Sequence, residues 1–168
     1  MIQGQTINIK NSVLACIIKT RTRNSKVLVV NKQETIQKIL SETKSIAVVG
    51  FSSNQHRAGY YVPVYLQRAG YRIFPVNPNL DQALGGFAFP DLNSIQDPVD
   101  LVLVFRRPEN IPGIVDEAIA IGAKAIWMQL GIVNVSAAQK ARAAGLDVVM
   151  DVCMMVEHRQ SGVKATDR

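Results

Sequence analysis

Five runs of apolar, largely β-branched residues, each closed by a glycine or a turn, constrain this chain more than any other feature. They are Ser45-Ile-Ala-Val-Val-Gly50, Tyr71–Val76, Asp100–Phe105, Lys124–Leu130 and Leu146–Val152. A strand with one face in water alternates apolar and polar residues, whereas one that is apolar throughout is covered on both faces, as parallel strands are. The segments between them have helical spacing. Glu34–Ser41 carries Ile36, Ile39 and Leu40 on one face, Tyr60–Ala69 is closed by Gly70, Pro112–Ile121 by Gly122, and Ser136–Ala144 by Gly145. Pro63 is expected in the first turn of its helix, where a missing N–H does no harm. Asp81–Gln96, with Gly85-Gly86 and Pro90-Asp91, reads as a long connection carrying a short strand around Phe87–Phe89. Strict alternation of strand and helix predicts an open, mostly parallel sheet with helices on both faces, a three-layer α/β/α architecture.

At 168 residues the chain suffices for one domain, which buries roughly 70% of its unfolded surface and needs neither metal nor disulfide to fold. It is 48% hydrophobic and 19% charged, which excludes wholesale disorder. Cys16 and Cys153 have no CxxC or CxxxH neighbour, so a disulfide framework and a zinc site are both unsupported and a reducing cytoplasm fits. The apolar run Val13–Ile18 is too short for a bilayer span, so no membrane insertion is expected. Charge is uneven. Residues 1–30 hold five basic residues and no acidic one, against 14 basic and 13 acidic in 31–168, so +5 of the net +6 lies in the first segment. Residues 1–30 therefore read as a basic extension, either disordered, or adding an edge strand through Val27–Val30, or translated from a start codon upstream of the natural one, and 31–168 as the folded domain. The extension has no aromatic residue to stack on a base, so nucleic acid is not favoured as its partner.

A parallel α/β sheet binds its ligand beyond the carboxyl ends of its strands, at the switch in strand order. The residues just past the predicted strands are therefore the candidate site: Gly50, Ser52, Ser53 and Arg57 after the first, Asn77 and Pro78 after the second, Phe105, Arg106 and Arg107 after the third, and Gln129 and Gly131 after the fourth. The turn Gly50–Arg57 could aim backbone N–H groups and hydroxyls at a phosphate, or could be a tight turn with a surface arginine. GxGxxG is absent, because Ser52 and Gln55 stand where it needs glycine, and Val76-Asn77-Pro78 offers no acid to a ribose hydroxyl. Adjacent guanidinium groups at Arg106 and Arg107 call for an anion, unless one faces solvent and the other pairs with Glu109 or Asp100. Trp127 could line a groove or fill the core.

Catalytic machinery is sparse. His56 lies in the candidate phosphate turn and His158 beside Glu157, and no pattern joins either to a nucleophile or a carboxylate pair. Cys153 could reach the crevice or lie inert in the core, and Met150, Met154 and Met155 read as core filling.

The stretches SIAVVGFSSNQHR (45–57), YLQRAGYRIFPVNPN (65–79), VDLVLVFRRPE (99–109), AKAIWMQLGIVN (123–134) and AGLDVVMDVCM (144–154) together resemble the small stand-alone CoA-binding proteins. Their fold is similar to the N-terminal CoA-binding domain of the succinyl-CoA synthetase α subunit. The resemblance implies a Rossmann-like domain that holds coenzyme A or an acyl-CoA, with the loop after Gly50 and Arg57 near the phosphates and Asn77, Pro78, Phe105–Arg107 and Gln129 along the groove. Where the family's first loop usually has a proline two positions before the arginine and a serine two after it, this chain has Gln55 and Gly59. The synthetase's phosphorylated histidine belongs to a separate domain, and His158 does not match it, so ligase activity is not implied. The expectation is a non-catalytic CoA-binding module, with an acyl-CoA hydrolase or transferase using His56, or an NAD-type nucleotide sensor, as alternatives. A protein partner or a second copy is left open.

Overall fold

A computed structural model describes residues 16–18 and 29–163. Cys16–Ile18 (β1) and Val29–Asn31 (β2) pair antiparallel, so a strand does form where Val27–Val30 was considered; the remainder of that stretch lies outside the described residues. The Asn31 side chain is buried against the last strand of the main sheet. Its Nδ2 donates to Met150 O at 2.6 Å and its Oδ1 accepts from Met150 N at 3.1 Å, which satisfies an edge that would otherwise be open.

The body follows the predicted alternation. Gln33–Glu42 (α1) leads into Ser45–Val49 (β3), then Ala58–Arg68 (α2) and Arg72–Val76 (β4). A small hairpin, Gln82–Ala83 (β5) with Gly86–Phe87 (β6), replaces the single strand expected over Phe87–Phe89. Gly85, at φ +81°, makes the tight turn that the connection needs, and Phe89 instead forms an isolated bridge to Val76. Leu101–Val104 (β7), Ile111–Ala120 (α3), Ala125–Met128 (β8), Val135–Ala143 (α4), Asp147–Met150 (β9) and Met154–Ser161 (α5) complete the chain.

The five central strands are all parallel, in the order β4-β3-β7-β8-β9. Their side chains divide by parity. Ala47, Val49, Val102, Val104, Ile126 and Met128 pack under α3 and α4, while Ile46, Val48, Leu101, Leu103 and Trp127 pack under α1, α2 and α5. This is the predicted doubly covered sheet, and it explains why the strand runs are apolar throughout. Trp127 is fully buried and its Nε1 donates to Val152 O at 2.8 Å, so it belongs to the core and lines no groove.

One helix differs from its prediction. α2 begins at Ala58, two residues earlier than expected, which puts Pro63 inside the helix and not in its first turn. A proline there cannot donate to the carbonyl four residues back, so Gly59 O is left without its helical partner. That carbonyl accepts the Ser52 N–H at 3.1 Å instead. The proline therefore releases an acceptor that ties down the turn after β3.

The strands' opposite ends are fixed by Asp100, whose carboxylate accepts from the N–H groups of Lys44 and Ser45 and pairs with Lys124 at 2.8 Å. Burial works to raise this carboxyl, but the Lys124 ammonium and the two N–H donors outweigh it and hold it below the ordinary aspartate value.

Candidate functional site

Strand order reverses between β3 and β7: the chain steps outward from β3 to β4, then returns past β3 to β7. The crevice of such a sheet opens at this switch, beyond the carboxyl ends. Gly50 closes β3 with φ +87°, and a Cβ on it would stand 2.9 Å from Arg106 Cδ and 3.1 Å from Phe105 O. The turn must be glycine on two counts, its backbone angle and the Arg106 stem lying against it.

The loop that follows is held by its own polar groups. Ser52 N–H goes to Gly59 O, Ser52 Oγ accepts from Asn54 N, and Asn54 Oδ1 accepts from His56 N. The Ser52 hydroxyl was expected to face a phosphate; in the structure its oxygen accepts from Asn54 N, while the Ser52 N–H is engaged by Gly59 O. The N–H groups of Ser53, Gln55, Ala58 and Gly59 meet no acceptor among the described residues. Ala58 and Gly59 form the first turn of α2, where unpaired N–H groups carry the positive end of the helix dipole. Arg57 is the residue before that turn and is exposed.

Sequence reasoning noted Gly59 only as a departure from the family's first loop and did not see its packing role. A Cβ there would stand 2.9 Å from Gly50 O, so only glycine lets α2 approach β3 this closely. In the dinucleotide fingerprint the third glycine performs this task. Its trace was the second glycine nine positions past Gly50.

Asn77 donates Nδ2 to Phe51 O at 2.7 Å and accepts from Asn79 N at 3.0 Å, so it ties the end of β4 to the loop after β3. Phe105 is half-buried, and Arg106 and Arg107 are both exposed. Neither arginine pairs with Glu109 or Asp100. Arg106 and Pro78 line a cavity of about 250 Å³ at the switch, together with Val49, Gly50, Val76 and Ile114. Arg107 is outside that lining and immediately precedes a 3₁₀ turn, Pro108–Asn110.

Gln129 and Gly131 lie past β8. Gln129 is buried, and its Nε2 meets no acceptor among the described residues. Leaving such a donor unpaired costs about 1–3 kcal/mol, so a ligand acceptor there would be favoured. The Gly131 N–H is taken by Asp151 Oδ1 at 2.6 Å, so Gly131 shapes the loop. Of the histidines, His56 is exposed in the loop, while His158 is buried with its Nδ1 2.9 Å from the Tyr65 hydroxyl and Tyr71 across its ring. No group of three or more His, Cys, Asp or Glu side chains among the described residues could hold a metal ion.

The predicted residues thus divide. Gly50, Pro78 and Arg106 line one cavity at the switch; Ser53 and Arg57 are exposed on the loop after β3, and half-buried Phe105 and exposed Arg107 follow β7; Ser52 and Asn77 also bond within the switch loops; Gln129 and Gly131 lie past β8, two strands away from β3. Comparison with known proteins bears on what this arrangement holds. A family model described as a CoA binding domain matches residues 44–159. The chain belongs to the CoA binding domain family. The uncharacterized protein YneT of Bacillus subtilis is 44% identical over 123 residues, which cover 73% of this chain and 91% of that one. A hypothetical protein from Pyrococcus horikoshii OT3 has the same fold, with TM-score 0.74 and 38% identity over 77% of this chain and 92% of its own. An acetate–CoA ligase (ADP-forming) of Methanocaldococcus jannaschii is 26% identical over 87 residues, which are 52% of this chain and only 12% of the ligase. The family match spans both sides of the switch, from β3 through most of α5.

Proposed function

We propose that the chain binds coenzyme A or an acyl-CoA at the carboxyl ends of β3, β4 and β7, as a binding module and not a catalyst. One observation carries the reading: the N–H groups of Ser53, Gln55, Ala58 and Gly59, along the loop and the helix start that follow Gly50, meet no acceptor among the described residues, and Gly50 itself packs against the Arg106 stem. An anion is the natural complement of a helix start with an arginine beside it, and CoA supplies a pyrophosphate and a 3′-phosphate. Membership of the CoA binding domain family selects CoA among phosphate-bearing ligands.

The residues fit the ligand in two further respects. The cavity is large enough for part of CoA and has apolar walls, and the buried Gln129 amide would gain an acceptor if a pantetheine carbonyl reached it. Turnover is disfavoured because His56 is exposed with no orienting carboxylate bonded to it, while His158 is buried between two tyrosines. A stretch of an ADP-forming acetate–CoA ligase is similar to this domain, but the chain spans a small fraction of such an enzyme, so its reaction is not carried over. Among the described residues no helix is long and apolar enough to cross a membrane, and we place the protein in a reducing cytoplasm.

Calorimetric titration with CoA, acetyl-CoA and NAD under reducing conditions tests the proposal. Micromolar binding of the CoA compounds with NAD silent is expected. NAD binding as tightly as CoA, or no CoA compound binding, would overturn it.

A further inference from the structure

Beyond β9 the chain makes a turn that the switch does not use. Asp151 stands at φ +59°, a backbone that side chains rarely adopt, and its carboxylate holds the Gly131 N–H at 2.6 Å. Two residues on, Cys153 caps the start of α5, where its carbonyl accepts the N–H groups of Val156 and Glu157 at 3.0 and 3.1 Å. Its thiol is free and half-buried. Cys153 and Phe105 pack against the same core layer, the one under α1, α2 and α5.

A second observation points to a ligand beside this thiol. Side chains alternate along a strand, so Gln129 lies on the same face as Trp127, whose Nε1 reaches the carbonyl of Val152, the residue before Cys153. One step past the paired residues Val104, Met128 and Met150, Phe105, Gln129 and Asp151 stand side by side. Gln129 is 4% exposed, and its Nε2 meets no acceptor among the described residues. A buried amide donor on this face, between Phe105 and Cys153, is what the carbonyl of a passing ligand would satisfy. Reach agrees with this path. In the order β3-β7-β8-β9 the outer two strands are three spacings apart, about 14 Å for strands ~4.8 Å from one another. The pantetheine arm of CoA, from its phosphate oxygen to its sulfur, has the chain length of about four residues and extends about 14 Å.

Resting on the CoA reading above, we propose that Cys153 is a redox modification site for the ligand's own sulfur, closing a mixed disulfide with CoA. With the phosphates at the start of α2, the arm crosses β7 and β8 past Gln129 and brings its sulfur to Cys153. The co-reactant is oxidised CoA, the symmetric disulfide. The Cys153 thiolate attacks one sulfur of CoA–S–S–CoA, that S–S bond breaks, Cys153–S–S–CoA forms, and the second CoA leaves as a thiolate that takes up the proton Cys153 released. One disulfide replaces another, so no further oxidant is required. Because Cys153 is only half-buried, the departing half can lie in solvent. Reduced CoA is then held by contacts alone, oxidised CoA by a bond that a small thiol reverses.

The test incubates the full chain with CoA disulfide and, separately, with glutathione disulfide, and follows intact mass and the peptide that carries the adduct. One CoA should appear on Cys153 at least about tenfold faster than glutathione does, because binding raises the local concentration of its sulfur, and dithiothreitol should remove it. Adenosine 3′,5′-bisphosphate, which has the nucleotide but no thiol arm, should slow the CoA reaction and not the glutathione one. Gln129→Leu, its fold checked by thermal melting, should lose most of the preference for CoA; if that variant is unstable, the bisphosphate competition decides. No adduct, an adduct confined to Cys16, equal rates with the two disulfides, no protection by the bisphosphate, or an undiminished preference in folded Gln129→Leu would overturn the inference. If calorimetry shows reduced CoA binding while Cys153 takes up no CoA, only this inference falls; if no CoA compound binds, the site reading falls with it.

Discussion

The same chemical change at two glycines should have opposite effects on stability, which isolates the close approach that builds the site. At Gly59 an added methyl would stand 2.9 Å from Gly50 O, with Ser52 Cβ and N both at 3.6 Å. Backbone atoms on both sides cannot swing aside, so α2 must withdraw from β3 by several tenths of an ångström. Overpacking of this kind costs about 1–3 kcal/mol. Alanine returns at most about 1 kcal/mol through helix propensity, leaving a net loss of about 1–2 kcal/mol. For a domain of this size that lowers Tm by roughly 3–6 °C. The withdrawal also stretches the 3.1 Å bond from Ser52 N to Gly59 O, so the loop loses its anchor and CoA affinity should fall with stability. At Gly113, also in a helix, the same methyl meets open space, so Gly113→Ala should raise Tm by about 2–3 °C through propensity alone. Differential scanning calorimetry of both variants decides. If Gly59→Ala is neutral or stabilising like Gly113→Ala, the argument that glycine is required at the start of α2 is wrong.

Other expectations follow from particular contacts. Gly50→Ala combines a left-handed backbone at φ +87° with a 2.9 Å contact to Arg106 Cδ; the backbone strain alone should cost about 1–2 kcal/mol, read as a lower urea midpoint. Arg106→Ala should weaken CoA by about tenfold or more while leaving the urea midpoint nearly unchanged, because Arg106 is exposed and forms no ion pair; calorimetry beside urea melts separates the two. Asp100→Ala should destabilise by about 1–3 kcal/mol, since two strand-end N–H groups lose their acceptor. Because the Asp100 carboxyl is held below its ordinary value, its contribution is complete above pH ~4, the unfolded value, and disappears as pH falls through the lower folded one. Stability against pH should therefore show a shallower acid limb in the variant, and an unchanged limb would contradict the assignment.

The strands were legible because burial on both faces removes alternation: Ile46, Val48, Leu103 and Trp127 face one helical layer while Ala47, Val102 and Met128 face the other. The location of the candidate site follows from the same pattern, since a parallel sheet gathers its loops at one edge. Less visible were features decided by tertiary contact. α5 buries only Met154 and His158 of its eight residues, too thin an apolar stripe to stand out in sequence. Pro63 reads as a first-turn residue because its conflict with the helix interior is resolved by a partner eleven positions upstream, Ser52, which takes the carbonyl the proline cannot use. Ser52 and Asn77 have the right chemistry for a ligand, yet their bonds go to Gly59 and Phe51. Residue type alone does not distinguish a group that meets the ligand from one that holds the group that does. Gly113 and Glu117 line the cavity at the switch from α3, away from any strand end, so a search confined to strand ends could not reach them.

The central claim is that CoA lies across the β3–β7 switch. Amide chemical-shift mapping of isotope-labelled protein during titration with CoA tests it most directly. The account predicts saturable shifts concentrated at Ser53, Gln55, Ala58 and Gly59, with further shifts around Arg106 and the start of α3, and little change at the opposite end near Asp100. Shifts centred on another face of the sheet, or none on addition of CoA, would contradict it.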